Sequence, residues 1–257
     1  MATSILNLHS GGSIVSREEL ALIEIPPATQ TWHPVKHVDV LDSVTSTLEG
    51  AGYTIEKQSL ALSHHGNRFF ATLDLSTQIT SGISLAVGVR NSQDKSFPIG
   101  FCAGNRVFCC SNLSFHSDIT IARKHSRFGN QRYVEALAKA VSALPSYQAS
   151  ATSWISRLTQ WTLSPEMADS IILRAYEMDL IGARMLPDLI KEVRHPEFPE
   201  FDPNTAWGLW NCFTTCLRKT QETQPAVNAL RTIRLQRLFE PPKEIIDVEF
   251  HKTQAAV

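Results

Sequence analysis

Apolar and polar positions change their period along this chain, and the change separates two kinds of structure. Between residues 53 and 122 the period is two. Ile83, Leu85, Val87 and Val89 alternate with Ser84, Ala86, Gly88 and Arg90, as in a strand that turns one face to a core. Phe69, Ala71, Leu73 and Leu75 alternate in the same way with Arg68, Phe70, Thr72 and Asp74. Strands are predicted over 53–62, 68–75, 83–90, 97–102, 107–110 and 116–122, with His64-His65-Gly66-Asn67 as a hairpin loop. The small residues opposite the Ile83 to Val89 stripe imply close packing on that face, or a groove.

On either side the period becomes helical. Val38, Leu41, Val44, Thr45 and Leu48 predict a helix over 37–49, closed by Gly50 and Gly52. Tyr133, Val134, Leu137, Val141 and Leu144 form a second stripe ended at Pro145, and Trp154, Ile155, Leu158 and Trp161 a third. Ser164-Pro165-Glu166 supplies an N-cap, a proline at the first helical position and an acid in the first turn. Asp202-Pro203 repeats that start before the stripe of Trp207, Trp210, Phe213 and Leu217, with residues 195–202 as a connector. A last helix is predicted over 225–239, stopped by Pro241-Pro242. Residues 20–25 read as a short strand ending at Pro26-Pro27.

The pattern is therefore α+β: an N-terminal helix plus a mainly antiparallel β-meander, followed by a C-terminal helical half. Residues 1–18 read as a loose arm, 19–145 as the sheet region, 146–240 as the helical region and 241–257 as a frayed tail. The softest boundary falls near Ser150, where the period weakens, and the two regions form either two domains or one continuous one.

At 257 residues, with 43% hydrophobic and 19% charged positions, the chain has enough apolar content for a packed core. No apolar run approaches the roughly 20 residues that span a bilayer. The five cysteines are an odd number, and no secretory leader pattern opens the chain. Reduced thiols and a cytoplasmic location, with no membrane partner, are expected.

The net charge of −1 conceals a separation. Residues 90–132 carry seven Lys and Arg against Asp94 and Asp118, and residues 217–237 carry five against Glu222. Residues 166–202 carry nine acids against four bases. Arg231, Arg234 and Arg237 recur every third residue and form a basic stripe on a helix. Residues 123–132 combine Arg123, Lys124, Arg127 and Arg132 with Phe128, an aromatic on which a base can stack. Basic surface interleaved with aromatic and small polar groups is the footprint of a nucleic-acid backbone. A solvated helix entry, or pairing with the acidic helices, explains the same charges without a ligand.

Metal chemistry finds little support. Cys109 and Cys110 are adjacent and point apart in a strand, and Cys212 and Cys216 sit one helical turn apart without a matching second pair. His64-His65 falls on a loop. Phosphate-loop, dinucleotide-binding, nucleophile-elbow and zinc-helix motifs are all absent, so neither a metal nor a cofactor is expected. An enzyme would rest on dispersed groups: Asp94, Lys95 and Ser92, with Arg106 and His116 converging. The competing reading of Asn91-Ser92-Gln93-Asp94 is a polar hairpin turn.

The densest polar motif is Arg90-Asn91-Ser92-Gln93-Asp94-Lys95-Ser96. It is followed by Gly100, Gly104, Val107-Phe108-Cys109-Cys110-Ser111-Asn112-Leu113 and Arg123-Lys124-His125. With Thr205-Ala206-Trp207-Gly208-Leu209-Trp210-Asn211 and Ala229-Leu230-Arg231-Thr232, these residues resemble a phage- and plasmid-encoded family called domain of unknown function 932, over much of 82–238. The resemblance implies a protein of mobile elements that handles DNA or RNA, or counters host defence. The order of meander and helices is also loosely similar to that of single-strand annealing proteins.

The leading expectation is a non-catalytic protein that binds single-stranded nucleic acid. Its groove would be formed by Arg90, Asn91, Lys95, Arg106, Arg123, Lys124, Arg127, Phe128 and Arg132, with Phe128 or Phe108 stacking on bases. The rivals are a nucleotide- or nucleic-acid-processing enzyme centred on Asp94 and Lys95, and a protein-binding inhibitor of a host defence system. Homo-oligomers are compatible with each reading.

Overall fold

A computed structural model describes residues 13–63, 65–107, 113–198, 201–202, 204–221 and 225–240. The fold is α+β, as the two periods require. Strands β1 (Ser13–Val15), β2 (Ile55–Ser63), β3 (Arg68–Thr80), β4 (Ile83–Ser92), β5 (Ile99–Val107) and β6 (Leu113–Arg123) form one antiparallel sheet whose spatial order is the sequence order. Helices α1 (Arg17–Ala21) and α2 (His37–Gly50) lie between β1 and β2 in the chain. Helices α3 (Gly129–Ser142), α4 (Leu144–Gln160), α5 (Pro165–Glu177), α6 (Leu186–Arg194), α7 (Ala206–Gln221) and α8 (Pro225–Gln236) follow the sheet, and the single turn Arg237–Phe239 closes the described chain.

The core-facing side of the sheet is the stripe that period two predicts. Phe69, Leu73, Leu75, Leu85, Val87, Ile99 and Ala103 are fully buried there. α2 covers it with Val40, Leu41, Val44 and Leu48, and α3 with Tyr133, Leu137 and Val141. Each large aliphatic side chain taken from water contributes roughly 1.5–3 kcal/mol. α4 ties the helical half to the sheet, since Gln148 and Thr152 donate to the carbonyls of Gln78 and Ile79, each at 2.8 Å. Further along, Trp154 meets Trp207 and Trp210 edge-on, and Phe239 meets Trp210 and Phe213 in the same way. One cluster of buried apolar residues runs through both halves.

The opposite face explains its own small residues. Asp74 on β3 lies beside Ala86 of β4, and Arg106 on β5 lies beside Ser84 of β4. Their side chains meet over this stretch of β4, with Arg106 Nε 2.6 Å from Asp74 Oδ1. Arg90 crosses the other way, over its neighbour Gly100, where a Cβ would fall 2.9 Å from Arg90 Cγ. Its guanidinium then sits 5.5 Å from the Phe97 ring. Small residues on β4 and β5 leave room for long side chains from neighbouring strands.

Several local expectations are corrected. Residues 20–25 are not a strand: α1 occupies Arg17–Ala21, started by a capping box in which Ser16 Oγ accepts from the Glu19 N–H and the Glu19 carboxylate accepts from the Ser16 N–H. The arm shortens too, because Ser13–Val15 pairs with Leu60 to Leu62 of β2. Most of the strand predicted over 97–102 continues without a break to residue 107, giving the single strand Ile99–Val107. Residues 108–110, the rest of the strand predicted over 107–110, lie outside the described residues. Pro145 does not close a helix but stands in the first turn of α4, where a missing N–H costs nothing. The soft stretch around Ser150 is the middle of that helix, its buried side carried by Tyr147 and Ala151. α6 is not among the predicted helices, although Leu186, Leu189, Ile190 and Val193 recur at helical spacing with Pro187 in the first turn. The frayed tail at 241–257 also lies outside the described residues.

Candidate nucleic-acid interface

Two of the motifs that stand out in the sequence meet at one end of the sheet. The turn between β4 and β5 carries Gln93 to Ser96, and the loop from β6 into α3 carries residues 124–128. A strap, residues 29–36, lies between them: the His33 N–H donates to the His125 carbonyl at 2.9 Å, and the Trp32 ring meets the His125 ring edge-on at 6.3 Å. Lys95 Nζ stands 5.0 Å from the Trp32 ring centroid, so the turn closes over the strap.

The loop into α3 is tightly made. The Ser126 N–H donates to the Lys124 carbonyl at 2.9 Å and the Gly129 N–H to the Ser126 carbonyl at 2.7 Å. A Cβ on Gly129 would collide with the Lys124 carbonyl oxygen, a close approach that glycine allows. This geometry leaves Arg123, Lys124, Arg127 and Arg132 exposed. Phe128 is 56% exposed beside them, with the Arg127 guanidinium 5.7 Å from its ring. The loop presents Lys124, Arg127 and one aromatic face to solvent, flanked by the exposed Arg123 at the end of β6 and Arg132 in the first turn of α3, while Lys95 is exposed on the adjacent turn.

Other residues assigned to the groove are placed elsewhere. Asn91 is 0% exposed, because it continues the core-facing stripe of Ile83, Leu85, Val87 and Val89 by one more step of two. Its amide nitrogen donates to the Val35 carbonyl at 2.9 Å and meets His37 Nδ1 at 3.0 Å. Arg106 is buried and held by Asp74 and Thr72. Arg90 is half-buried on Gly100 and Phe97. Neither Asn91 nor Arg106 offers a surface to a polymer. Phe108, Cys109, Cys110 and His64, with the His116 side chain, lie outside the described residues.

Ser92 and Asp94 are engaged in closing the turn that carries Lys95. Ser92 Oγ donates to the Phe97 carbonyl at 2.7 Å and accepts from the Phe97 N–H at 3.1 Å. Asp94 accepts from the Ser96 N–H and hydroxyl and pairs with Arg68 at 2.7 Å. Partial burial raises the Asp94 carboxyl, but the bonds from Ser96 and Arg68 outweigh it and hold the group below the usual carboxylate range. Lys95 carries the left-handed φ of +65° that this turn imposes. Among the described residues, no group of three or more His, Cys, Asp or Glu could hold a metal ion. No helix among them is long and apolar enough to cross a membrane.

Beneath the exposed loop lies a buried polar cluster that the sequence pattern does not assign to the site. His37 Nε2 is bonded to the Gly66 carbonyl at 2.9 Å, which places the proton there and leaves Nδ1 to accept from Asn91. Burial pushes the His37 pKa down to about 4, with His125 and Asp94 near enough to act on its charge. Gln93, 3% exposed, donates its amide to the Val35 carbonyl at 3.3 Å. His125 is 6% exposed, and burial lowers its pKa as well. Trp32 Nε1, Asn91 Oδ1, Gln93 Oε1 and both ring nitrogens of His125 are buried with no partner among the described residues. Each such atom costs about 1–3 kcal/mol when nothing bonds it. The sequence does carry a signal for this cluster: Asn91 and Gln93 fall at the end of a period-two stripe, where a polar residue is directed inward.

Comparison with family models, with curated proteins and with solved structures finds no match to this chain.

Proposed function

We propose that this protein binds single-stranded nucleic acid, without catalysis, across the end of the sheet where the β6–α3 loop meets the β4–β5 turn. The observation that carries the reading is Phe128, a large aromatic 56% exposed among the exposed Arg123, Lys124, Arg127 and Arg132. An aromatic held out between cations provides a stacking face beside phosphate partners. Lys95, exposed on the neighbouring turn, extends the basic surface towards the strap. The groove expected from the sequence is thereby reduced to its exposed members, without Asn91 and Arg106.

The test is fluorescence anisotropy with labelled single-stranded and duplex DNA and RNA over a salt series. Single strands are expected to bind more tightly, with affinity falling steeply as salt rises. Changing Lys124 and Arg127 together to Glu should weaken binding at least tenfold and lower the salt slope by about 1.4, two single-strand phosphate contacts. Phe128→Ala should cost about 1–3 kcal/mol of affinity with the salt slope kept. Absence of binding at low salt, or full affinity in the double Glu variant, overturns the reading.

A further inference from the structure

The polar cluster beneath the loop has a specific hydrogen-bonding demand. The Asn91 amide nitrogen is spent on Val35 and His37, and that of Gln93 on Val35, so each presents its oxygen as an acceptor. Trp32 Nε1 is a donor, and a neutral His125 ring is one donor and one acceptor. A ligand that satisfies this set brings two N–H donors for the amide oxygens and an acceptor for the indole. Phosphate and carboxylate fail, because they bring acceptors alone. Adenine, cytosine and guanine fit, each placing an amino group with two N–H bonds beside an unprotonated ring nitrogen. Uracil and thymine bring a single N–H between two carbonyls and leave one amide oxygen unbonded.

Position adds to chemistry. His125 stands between Lys124 and Ser126, within the exposed basic loop itself, and Trp32 lies under Lys95. We propose that this cluster is a base pocket, which takes one amino-bearing base (adenine, cytosine or guanine) turned out of a strand held by the basic loop. The proposal rests on the single-strand reading above and adds base preference to it. The pocket is closed in this structure by the Trp32 contacts with His125 and Lys95, so seating a base requires the strap to swing outward. Two features suit that motion. Lys95 holds a strained backbone at the turn, and the tip of the strap is kept by two local bonds, Thr29 N–H to the Trp32 carbonyl and Trp32 N–H to Thr29 Oγ1.

The full chain is titrated with labelled oligo-dA, oligo-dC and oligo-dT of equal length at fixed salt. Thermal melting is followed in parallel with millimolar AMP, CMP or UMP. Oligo-dA and oligo-dC are expected to bind at least tenfold more tightly than oligo-dT, and AMP and CMP to raise the melting midpoint where UMP does not. Trp32→Phe keeps the ring and removes the donor, and Gln93→Leu removes an acceptor. Either variant should bring the preference within threefold, chiefly by weakening oligo-dA and oligo-dC towards the affinity of oligo-dT. If all three oligonucleotides bind alike, the base pocket is overturned and strand binding stands, with water as the occupant of the cluster. A preference that survives both variants also overturns it. A shift with AMP and CMP but no strand binding supports the pocket and overturns the strand reading, and failure of every ligand overturns both. Should one variant fold poorly, the other still decides between these results.

Discussion

Asp74 and Arg106 meet over β4 at 2.6 Å, each with 9% of its side chain exposed. Removing one charge leaves the other buried and unpaired, so Asp74→Ala is expected to cost about 3–5 kcal/mol. Replacing both by Leu and Met should recover most of that loss. Urea denaturation of the two variants checks this, and a loss below about 1 kcal/mol in the single variant would show that water reaches Arg106. The pair also shows where reading single residues stops. A charge that alternates with apolar neighbours reads as solvent-facing, and Arg68 and Lys57 are indeed at least partly exposed. Arg106 and Asp74 obey the same alternation, yet their face is covered by long side chains reaching over small ones. Contacts between strands that are remote in sequence decide such burial, and one strand's pattern does not contain them.

The β6–α3 loop concentrates constraint in one backbone position. Gly129→Ala would press a methyl against the Lys124 carbonyl oxygen, which is backbone and cannot turn away. The expected result is a loss of roughly 1–3 kcal/mol, together with weaker strand binding, because the same contact sets the loop that presents Lys124, Arg127 and Phe128. A variant within about 0.5 kcal/mol of the parent would show a loop that relaxes without cost. Elements with a strong period are legible: α2, α5, α7 and strands β3 and β4 stand where apolar spacing and Ser164-Pro165 put them. α1 is not predicted, its residues falling between the loose arm and the strand expected over 20–25 although Ser16 and Glu19 form a capping box, because five residues are too few to show a period. α6 is different: its Leu186, Leu189, Ile190 and Val193 carry a helical period with Pro187 in the first turn, so it is legible although it is not among the predicted helices. The site is legible in its exposed portion, as a run of basic residues around Phe128. The strap is not, since Trp32 reaches its place through a contact with His125, remote in sequence, that no local pattern encodes.

For the molecule as a whole, His37 couples α2, the β2–β3 hairpin and the end of β4 through its bonds to Gly66 and Asn91. Burial holds it neutral in the folded state, down to a pKa of about 4 against an ordinary 6.5. The unfolded chain takes up this proton near pH 6.5 and the folded chain near 4. The stabilisation from this group is therefore complete above pH 6.5, declines as pH falls between those values by about 3 kcal/mol, and then levels off. His125, lowered by burial as well, adds in the same direction. Urea midpoints measured from about pH 7 to 4 should fall accordingly, and His37→Gln should flatten the decline. A slope equal to the parent's would assign the acid sensitivity to other groups.

The order β1-β2-β3-β4-β5-β6 also bears on how the chain is made. From β2 to β6 each strand pairs with the next across a short loop, which costs little entropy, whereas β1 reaches β2 across α1 and α2. The meander can therefore grow hairpin by hairpin as the chain leaves the ribosome from its N-terminus. The lid on its apolar face arrives in two instalments: α2 is already synthesised when β3 appears, whereas α3 and α4 follow β6. Until those last two helices follow, Phe101 and Ile121, buried in the finished fold, stand on a sheet face that the chain has yet to cover.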